Sequence, residues 1–306
     1  MTAQEAQGSI GPLNTVGHNV PRIDAYERVT GKATYTSDVR VPGMLYARVL
    51  RSPHPHARIR SIDVSRAESL AGVRAVVTHE THQYIYSSGS IAGGRQYSDA
   101  AKDITEHIRY MFDNPVRYVG QPVAAVAAVD RHVAEEALAL IDIDWEELPF
   151  VIDLEEALEA GAPKIWPEGN LLNHGKIRKG DIEEAFRAAD VIIENEYRTP
   201  PVDHLYLEVE AGCVAPLPGG SYQVWCSTQQ PFLIRNNVAR VLGLKGESAV
   251  RFIQTLPGGG FGGKNEASLD VSLRAALLAR ATGRPVKLTY SREESLIASA
   301  KRHSSI

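Results

Sequence analysis

Seven residues constrain this 306-residue chain more than any others: Gly258-Gly259-Gly260-Phe261-Gly262-Gly263-Lys264, five of them glycine. They lie between a β-branched run, Ala249 to Thr255, that predicts a strand, and an apolar-periodic segment, Glu266 to Thr282, that predicts a helix. Gly283 just past that helix and Pro285 beyond it are the expected stop signal. A loop without side chains leaves successive backbone N–H groups uncovered. An anionic or oxo group can then approach closely, and the N-terminal dipole of the following helix adds to the attraction.

Two nucleotide-binding patterns fit the loop literally. Gly258-x-Gly260-x-x-Gly263 satisfies the dinucleotide fingerprint, and Gly258-x4-Gly263-Lys264 satisfies most of a P-loop. The P-loop fails at Asn265, which stands where a Ser or Thr hydroxyl should hold magnesium. The dinucleotide pattern expects a strand running straight into the first glycine and an acidic residue about 20 residues on. Here Leu256-Pro257 intervene, the expected neighbourhood is Thr282-Gly283-Arg284, and the next acids are Glu293 and Glu294.

The rest of the chain predicts a mixed α/β (α+β) protein in two parts. Residues 1–20, with Gly8, Gly11, Pro12 and Gly17, read as an extended leader lying over another surface. Residues 21–150 form a first α/β domain. Its strands are predicted at Met44–Leu50, Val73–Thr78 and Pro122–Val129, the last a continuous small-apolar run that should be fully buried. Asp130 should cap a helix with Glu135 and Glu136 outward, followed by an alternating strand at Ile141–Trp145. His79 to Asn114 is a long polar stretch with Gly89, Gly93 and Gly94, which favours an interaction arm. Residues 151–170 are an Ala/Glu/Gly/Pro-rich linker. In 171–306 the expected elements are a helix at Ile182–Ala189 capped by Asp181, strands at Val191–Tyr197 and Ser221–Thr228, a helix at about Phe232–Leu242, and a last strand at Pro285–Tyr290. The ending Arg302-His303-Ser304-Ser305-Ile306 carries no capped element or polar tail, which predicts an early stop.

Composition narrows the classes. With 43% hydrophobic and 23% charged residues and a net charge of −4, the chain has no positive field for a polyanion, which argues against nucleic acid as a partner. No apolar run approaches the roughly 20 residues of a spanning helix, and the N-terminus has no signal-peptide pattern, so no membrane is expected and the cytoplasm is the expected location. Cys213 and Cys226 stand outside any CxxC or CxxH spacing and read as small buried apolar side chains, not metal ligands. His54 and His56 in Pro53-His54-Pro55-His56 read as structural, because i, i+2 spacing without further ligands rarely closes a metal site.

Thr228-Gln229 upstream of the glycine loop completes a pattern that resembles the molybdopterin-binding domain of the xanthine dehydrogenase/aldehyde oxidase family. The similarity extends to Val16-Gly17, Val29-Thr30-Gly31-Lys32-Ala33-Thr34-Tyr35-Thr36, Arg51-Ser52-Pro53-His54-Pro55-His56-Ala57, Val119-Gly120-Gln121-Pro122-Val123-Ala124-Ala125-Val126, and then His204, Leu207-Glu208 and Glu210-Ala211. The resemblance covers about residues 15 to 303 in order. It implies a hammerhead-type α/β domain followed by the first, incomplete part of a molybdopterin-cofactor-binding domain.

The implied cofactor is a molybdenum–molybdopterin, or its cytosine dinucleotide form, held without a side-chain ligand to the metal. By resemblance Gln229 donates its amide to an oxo ligand, and a neutral amide does so without adding charge beside the metal. Gly260, Phe261, Gly262 and Gly263 would line the cofactor, with Phe261 packed beside it. Some family members carry a substrate-facing glutamate after the GGK lysine. This chain has Asn265 there and Glu266 next, so either one is a candidate substrate contact. The family reaction hydroxylates a heteroaromatic or aldehyde-type carbon with oxygen from water. Its general-base glutamate is expected beyond Ile306, so no catalytic residue is assigned here. Implied partners are the remaining part of the molybdenum subunit, a 2Fe-2S subunit, an FAD subunit and a small-molecule substrate, with the isolated chain inactive. The alternatives are a non-catalytic or assembly homologue, a carbon monoxide dehydrogenase-type or aromatic acyl-CoA reductase-type member, and a free-standing nucleotide-binding enzyme.

Overall fold

The structure, a computed structural model, describes residues 15–82, 85–86, 109–167, 169–171, 174–298, 300–301 and 304–305. The described residues divide into two compact units, with the boundary between Thr34 and Tyr35. In the first, helix α1 (Ala25–Val29) is preceded by Asp24, whose carboxylate bonds the guanidiniums of Arg22 and Arg28 and is held down to about 2 by them. The expected leader lies mostly outside the described residues.

The second unit begins with a 3-10 turn (Thr36–Asp38). It continues with β1 (Leu45–Arg51), β2 (Ala57–Asp63), α2 (Ser65–Ser69), β3 (Val73–Thr78), β4 (Ile85–Tyr86), β5 (Arg109–Tyr110), β6 (Pro122–Ala128), α3 (Arg131–Ala139) and β7 (Asp142–Glu147). Then follow α4 (Ile182–Ala188), β8 (Arg198–Thr199), β9 (Val202–Asp203), β10 (Ala211–Pro216), β11 (Tyr222–Cys226), α5 (Pro231–Val241) and β12 (Val250–Gln254). The last elements are α6 (Glu266–Thr282), β13 (Val286–Thr289), α7 (Arg292–Ala298), β14 (Ala300–Lys301) and β15 (Ser304–Ser305).

Among the described residues the largest sheet has seven strands in the order β12-β11-β10-β13-β1-β6-β3. It is mixed: β11 with β12 and β1 with β13 are parallel, the other neighbours antiparallel. Leu45 of β1 lies beside Val286 of β13, so strands from the two ends of the sequence share the centre of one sheet.

β6 explains why a run of alanines and valines can be a central strand. All seven of its residues are buried. Ala125 and Ala127 face the core built on α6, whereas Ala124, Val126 and Ala128 face Ala134 and Ala137 of α3. Side chains this small let helices approach both faces. The Asp130 carboxylate accepts from the His132 and Val133 N–H groups and fixes where α3 begins. Helix α6 is buried on nearly every side. Leu269, Leu273, Leu277 and Leu278 are fully enclosed, each contributing about 1.5–3 kcal/mol by leaving water. A Cβ on Gly212 of β10 would lie 3.1 Å from Ser272 backbone atoms, so that glycine allows the strand to press against α6. Gly283 ends the helix in the left-handed conformation (φ 65°), as the stop signal predicts.

Two expectations fare differently, and one strand goes unpredicted. Val191–Tyr197 is not a strand: no neighbour pairs with it among the described residues, and Ile193 is 79% exposed. β-branched residues favour an extended backbone, but a strand also requires a partner. Ala211–Pro216, by contrast, is a buried strand that sequence patterning misses, because Gly212 and Pro216 dilute its signal. The expected arm, 79–114, lies largely outside the described residues. No helix among the described residues is long and apolar enough to cross a membrane.

Candidate functional site

The site begins where two parallel neighbours end. β11 and β12 run side by side in register, Cys226 beside Gln254, so the segments that leave them emerge together. From β11 come Ser227 and Thr228, both buried, and then Gln229, which is exposed. From β12 comes the loop 255–265, which leads into α6. Three bonds lock the two exits. The Thr228 hydroxyl donates to the Lys264 carbonyl at 2.9 Å, the Gln229 N–H to the same carbonyl at 3.0 Å, and the Gln254 amide to the Thr228 carbonyl at 2.8 Å. A Cβ on Gly260 would lie 3.5 Å from Gln229 Oε1, which puts the side-chain amide of Gln229 against the middle of the glycine loop.

The tip of the loop is a tight turn closed by the Gly263 N–H on the Gly260 carbonyl at 2.7 Å. Its backbone runs through positive φ at Gly259 (101°), Phe261 (47°) and Gly262 (100°). Glycine adopts such values freely. Phe261 does not, so its backbone is held in a sparsely populated region by the glycines around it. Phe261 is 77% exposed. The N–H groups of Gly260, Phe261 and Gly262 meet no acceptor among the described residues. Three donors without an acceptor among the described residues, an exposed glutamine and an exposed phenylalanine thus come together at the surface of the loop tip.

Not all five glycines serve that surface. A Cβ on Gly258 would sit 2.5 Å from the Cβ of Glu208, on Gly259 2.9 Å from that of Tyr206, and on Gly263 2.6 Å from the Tyr206 ring and 2.8 Å from His204 Nδ1. These glycines make room for segment 204–208, which packs behind the loop. The Glu208 carboxylate there pairs with the Lys264 ammonium; the lysine is buried and the glutamate mostly so. Sequence spacing gives no sign of this pair, because 56 residues separate its members. Asn265, half-buried, turns its amide back onto the Gly262 carbonyl at 3.3 Å. Glu266 opens α6, and its side chain lies outside the described ones.

The other candidates of the sequence lie apart from the loop's motif contacts. His56 Nδ1 donates to the Pro149 carbonyl at 2.7 Å, and the His54 ring sits 5.2 Å from that of Trp145. Both histidines hold the first half of the chain together. Cys213 and Cys226 are buried, and burial pushes both thiols up to about 12, leaving them protonated and unreactive. Among the described residues no three His, Cys, Asp or Glu side chains converge as a metal site would require.

Comparison with known proteins agrees along the chain. Residues 30–149 match the a/b hammerhead domain of aldehyde oxidase and xanthine dehydrogenase, and residues 165–306 match the molybdopterin cofactor-binding domain. A probable xanthine dehydrogenase subunit of Bacillus subtilis (strain 168) is 37% identical over 282 residues, covering 92% of this chain and 36% of the relative. The nicotinate dehydrogenase large molybdopterin subunit of Eubacterium barkeri is 38% identical over 288 residues, 94% of this chain and 64% of that one. The crystal structure of quinoline 2-oxidoreductase from Pseudomonas putida 86 superposes with a TM-score of 0.77 at 29% identity, over 91% of this chain and 35% of that one. The chain therefore spans between about one third and two thirds of the length of these relatives.

Proposed function

The chain belongs to the aldehyde oxidase and xanthine dehydrogenase family, matching the N-terminal portion of its molybdenum-cofactor subunit, and on that premise we propose that it supplies one wall of the cofactor pocket of a molybdenum hydroxylase. The carrying observation is the meeting of Gln229 and the loop tip, where the side chain of an exposed glutamine lies against Gly260, beside three backbone N–H groups that meet no acceptor among the described residues. That donor set fits an electron-rich group held by hydrogen bonds and not by side-chain metal ligands. When bound, the cofactor supplies the redox chemistry that oxidises a heteroaromatic or aldehyde-type carbon with oxygen from water.

What this chain contributes is placement. Gln229 donates a directed, uncharged N–H. The N–H groups of Gly260, Phe261 and Gly262 offer fixed donors that need no reorganisation when charge shifts. Gly263 completes the turn that aims them, and the Phe261 ring shields one side from water. Asn265 steadies the loop through Gly262, and a substrate contact is left to it or to Glu266. The proposed organisation is a hammerhead-type domain over 21–150, a linker over 151–170 and the cofactor domain over 171–306.

The general base, the remaining pocket walls, and the 2Fe-2S and FAD groups that take the electrons are assigned to partners: the rest of the molybdenum subunit and two redox subunits. Exposed apolar side chains support such a cover. Exposed large apolar residues concentrate within 177–207, among them Ile177, Ile182, Val191, Ile192, Ile193 and Leu207, where single scattered ones would be ordinary. The test is turnover of N-heteroaromatic compounds and aldehydes by the co-purified complex in ¹⁸O-labelled water with an artificial electron acceptor. Label in the oxidised product supports a hydroxylase; oxidation without label, or of carbon monoxide alone, overturns it.

A further inference from the structure

We infer that the Glu208 carboxylate is a clip across the neck of the glycine loop, and that it sets the direction in which the loop tip and Gln229 point; the inference rests on the tip being a wall of the cofactor pocket. One oxygen carries the clip. Glu208 Oε2 accepts from the Gly258 N–H at 2.7 Å and from the Lys264 ammonium, which are the first and last residues of the motif. The Glu208 N–H returns a bond to the Gly258 carbonyl at 3.2 Å. Gly258 has to be glycine for this, since a Cβ there would collide with the Glu208 Cβ at 2.5 Å.

The clip reaches Gln229 as well. The Lys264 carbonyl receives both the Thr228 hydroxyl and the Gln229 N–H, so whatever fixes Lys264 fixes the residue that presents the amide. Behind it, the Lys264 ammonium sits 5.0 Å from the centre of the Tyr206 ring, and the Tyr206 hydroxyl donates to the Glu210 carboxylate. The Arg292 guanidinium holds the carbonyls of Tyr206 and Leu207 at 2.7 and 2.9 Å. The clip is therefore anchored to a rigid back wall.

Lys264 is 1% exposed. Its charge is turned inward to Glu208, unlike a P-loop lysine, which reaches its phosphates from an open loop. Lys264 is enclosed, and the Glu208 side chain, only 10% exposed, lies against Gly258 at the neck of the loop and not at its tip, so both are positioning residues. A buried ion pair adds little net stability over an apolar pair of the same volume, because desolvation offsets the attraction. What it adds here is geometry: a carboxylate oxygen that accepts two donors from opposite ends of one loop defines the width of its neck.

The experiment is site-resolved amide hydrogen exchange on the full chain co-purified with its partners, comparing wild type with Glu208→Gln. The informative amides are Gly263 and Gln229, whose acceptors are the Gly260 and Lys264 carbonyls and not Glu208 itself. Exchange at both at least tenfold faster in the variant, with the α6 core unchanged, is the expected result. Unchanged exchange overturns the clip. The molybdenum-to-protein ratio of the same samples is read beside it. Faster exchange with a ratio lowered severalfold upholds the clip and its link to the cofactor. Faster exchange with an unchanged ratio upholds the clip and overturns the loop as a cofactor wall. Should Glu208→Gln fail to fold, Glu208→Leu/Lys264→Met removes both charges together, leaves neither buried alone, and is judged by the same two readouts.

Discussion

Thr36 Oγ1 and Thr255 Oγ1 lie 2.6 Å apart, buried, and Thr36 Oγ1 also accepts from the Ser227 N–H at 3.0 Å. The Thr36 oxygen has two lone pairs and one proton, so it can accept from Ser227 and still bond Thr255 in either direction. One hydroxyl from a 3-10 turn far away in sequence thus ties the exits of β11 and β12, the strands that deliver Gln229 and the glycine loop. Thr36→Val keeps the volume but leaves a buried N–H without an acceptor, and should cost about 1–3 kcal/mol. Thr36→Ser should recover most of it. Urea unfolding of the three proteins checks the order.

The back of the glycine loop makes a second prediction. Gly258→Ala places a methyl 2.5 Å from the Glu208 Cβ, where backbone has to move. Gly243→Ala meets nothing within 4 Å and carries only the strain of a positive φ (63°), about 1–2 kcal/mol. Gly258→Ala is expected to lower the melting temperature more than Gly243→Ala and to lower molybdenum content, which Gly243→Ala should leave intact. Equal effects in both measurements would contradict the packing described for residue 208.

How much of this was legible in the sequence depends on the distance over which each feature is decided. The Asp130 cap, the Gly283 stop and the all-apolar β6 are local, and their chemistry is visible in a few residues. The exposed Val191–Tyr197 segment has the right residues for a strand but no partner among the described residues, and pairing is not a local property. β10 is the reverse case: its partners, β11 and β13, make a strand of a segment that Gly212 and Pro216 disfavour. At the site, the motif pointed to the loop and to Gln229 together, and the structure brings them together. The glycine count alone could not separate glycines that face outward from those that admit His204, Tyr206 and Glu208. The Thr36 and Glu208 contacts join residues far apart in the chain and leave no periodic trace.

Lys287 gives a pH dependence with a definite sign. It lies in β13, buried, donating to the Ser37 and Val39 carbonyls at 2.7 and 3.1 Å. Burial, and then the positive charge of Arg40, push its amine from the ordinary 10.5 down to about 8. Below about 8 both folded and unfolded chains hold the proton, and the cost of burying the charge is fully present. Between about 8 and 10.5 the unfolded chain binds more protons, so this residue's contribution to stability rises with pH and levels off above that window. The stability difference between wild type and Lys287→Met, followed by urea unfolding from pH 7 upward, should therefore shift in favour of wild type over that range. A flat difference would contradict it.

Asp130→Ala removes the acceptor of the His132 and Val133 N–H groups at the start of α3. A loss of about 1 kcal/mol is expected, because the freed groups are exposed to water and the rest of the helix stays packed on β1 and β6. Chemical denaturation measures it. Asp130→Asn should recover much of the loss, since an amide oxygen caps nearly as well.

The central claim is that Gln229 and residues 260–263 form one wall of a molybdenum-cofactor pocket. Its most direct measurement is the molybdenum and pterin content of the full chain co-purified with its partners, alongside a Gln229→Ala/Phe261→Ala variant of the same complex. The account predicts close to one molybdenum and one pterin per wild-type chain and a content lowered at least severalfold in the variant. An otherwise complete and active wild-type complex containing neither molybdenum nor pterin would contradict it.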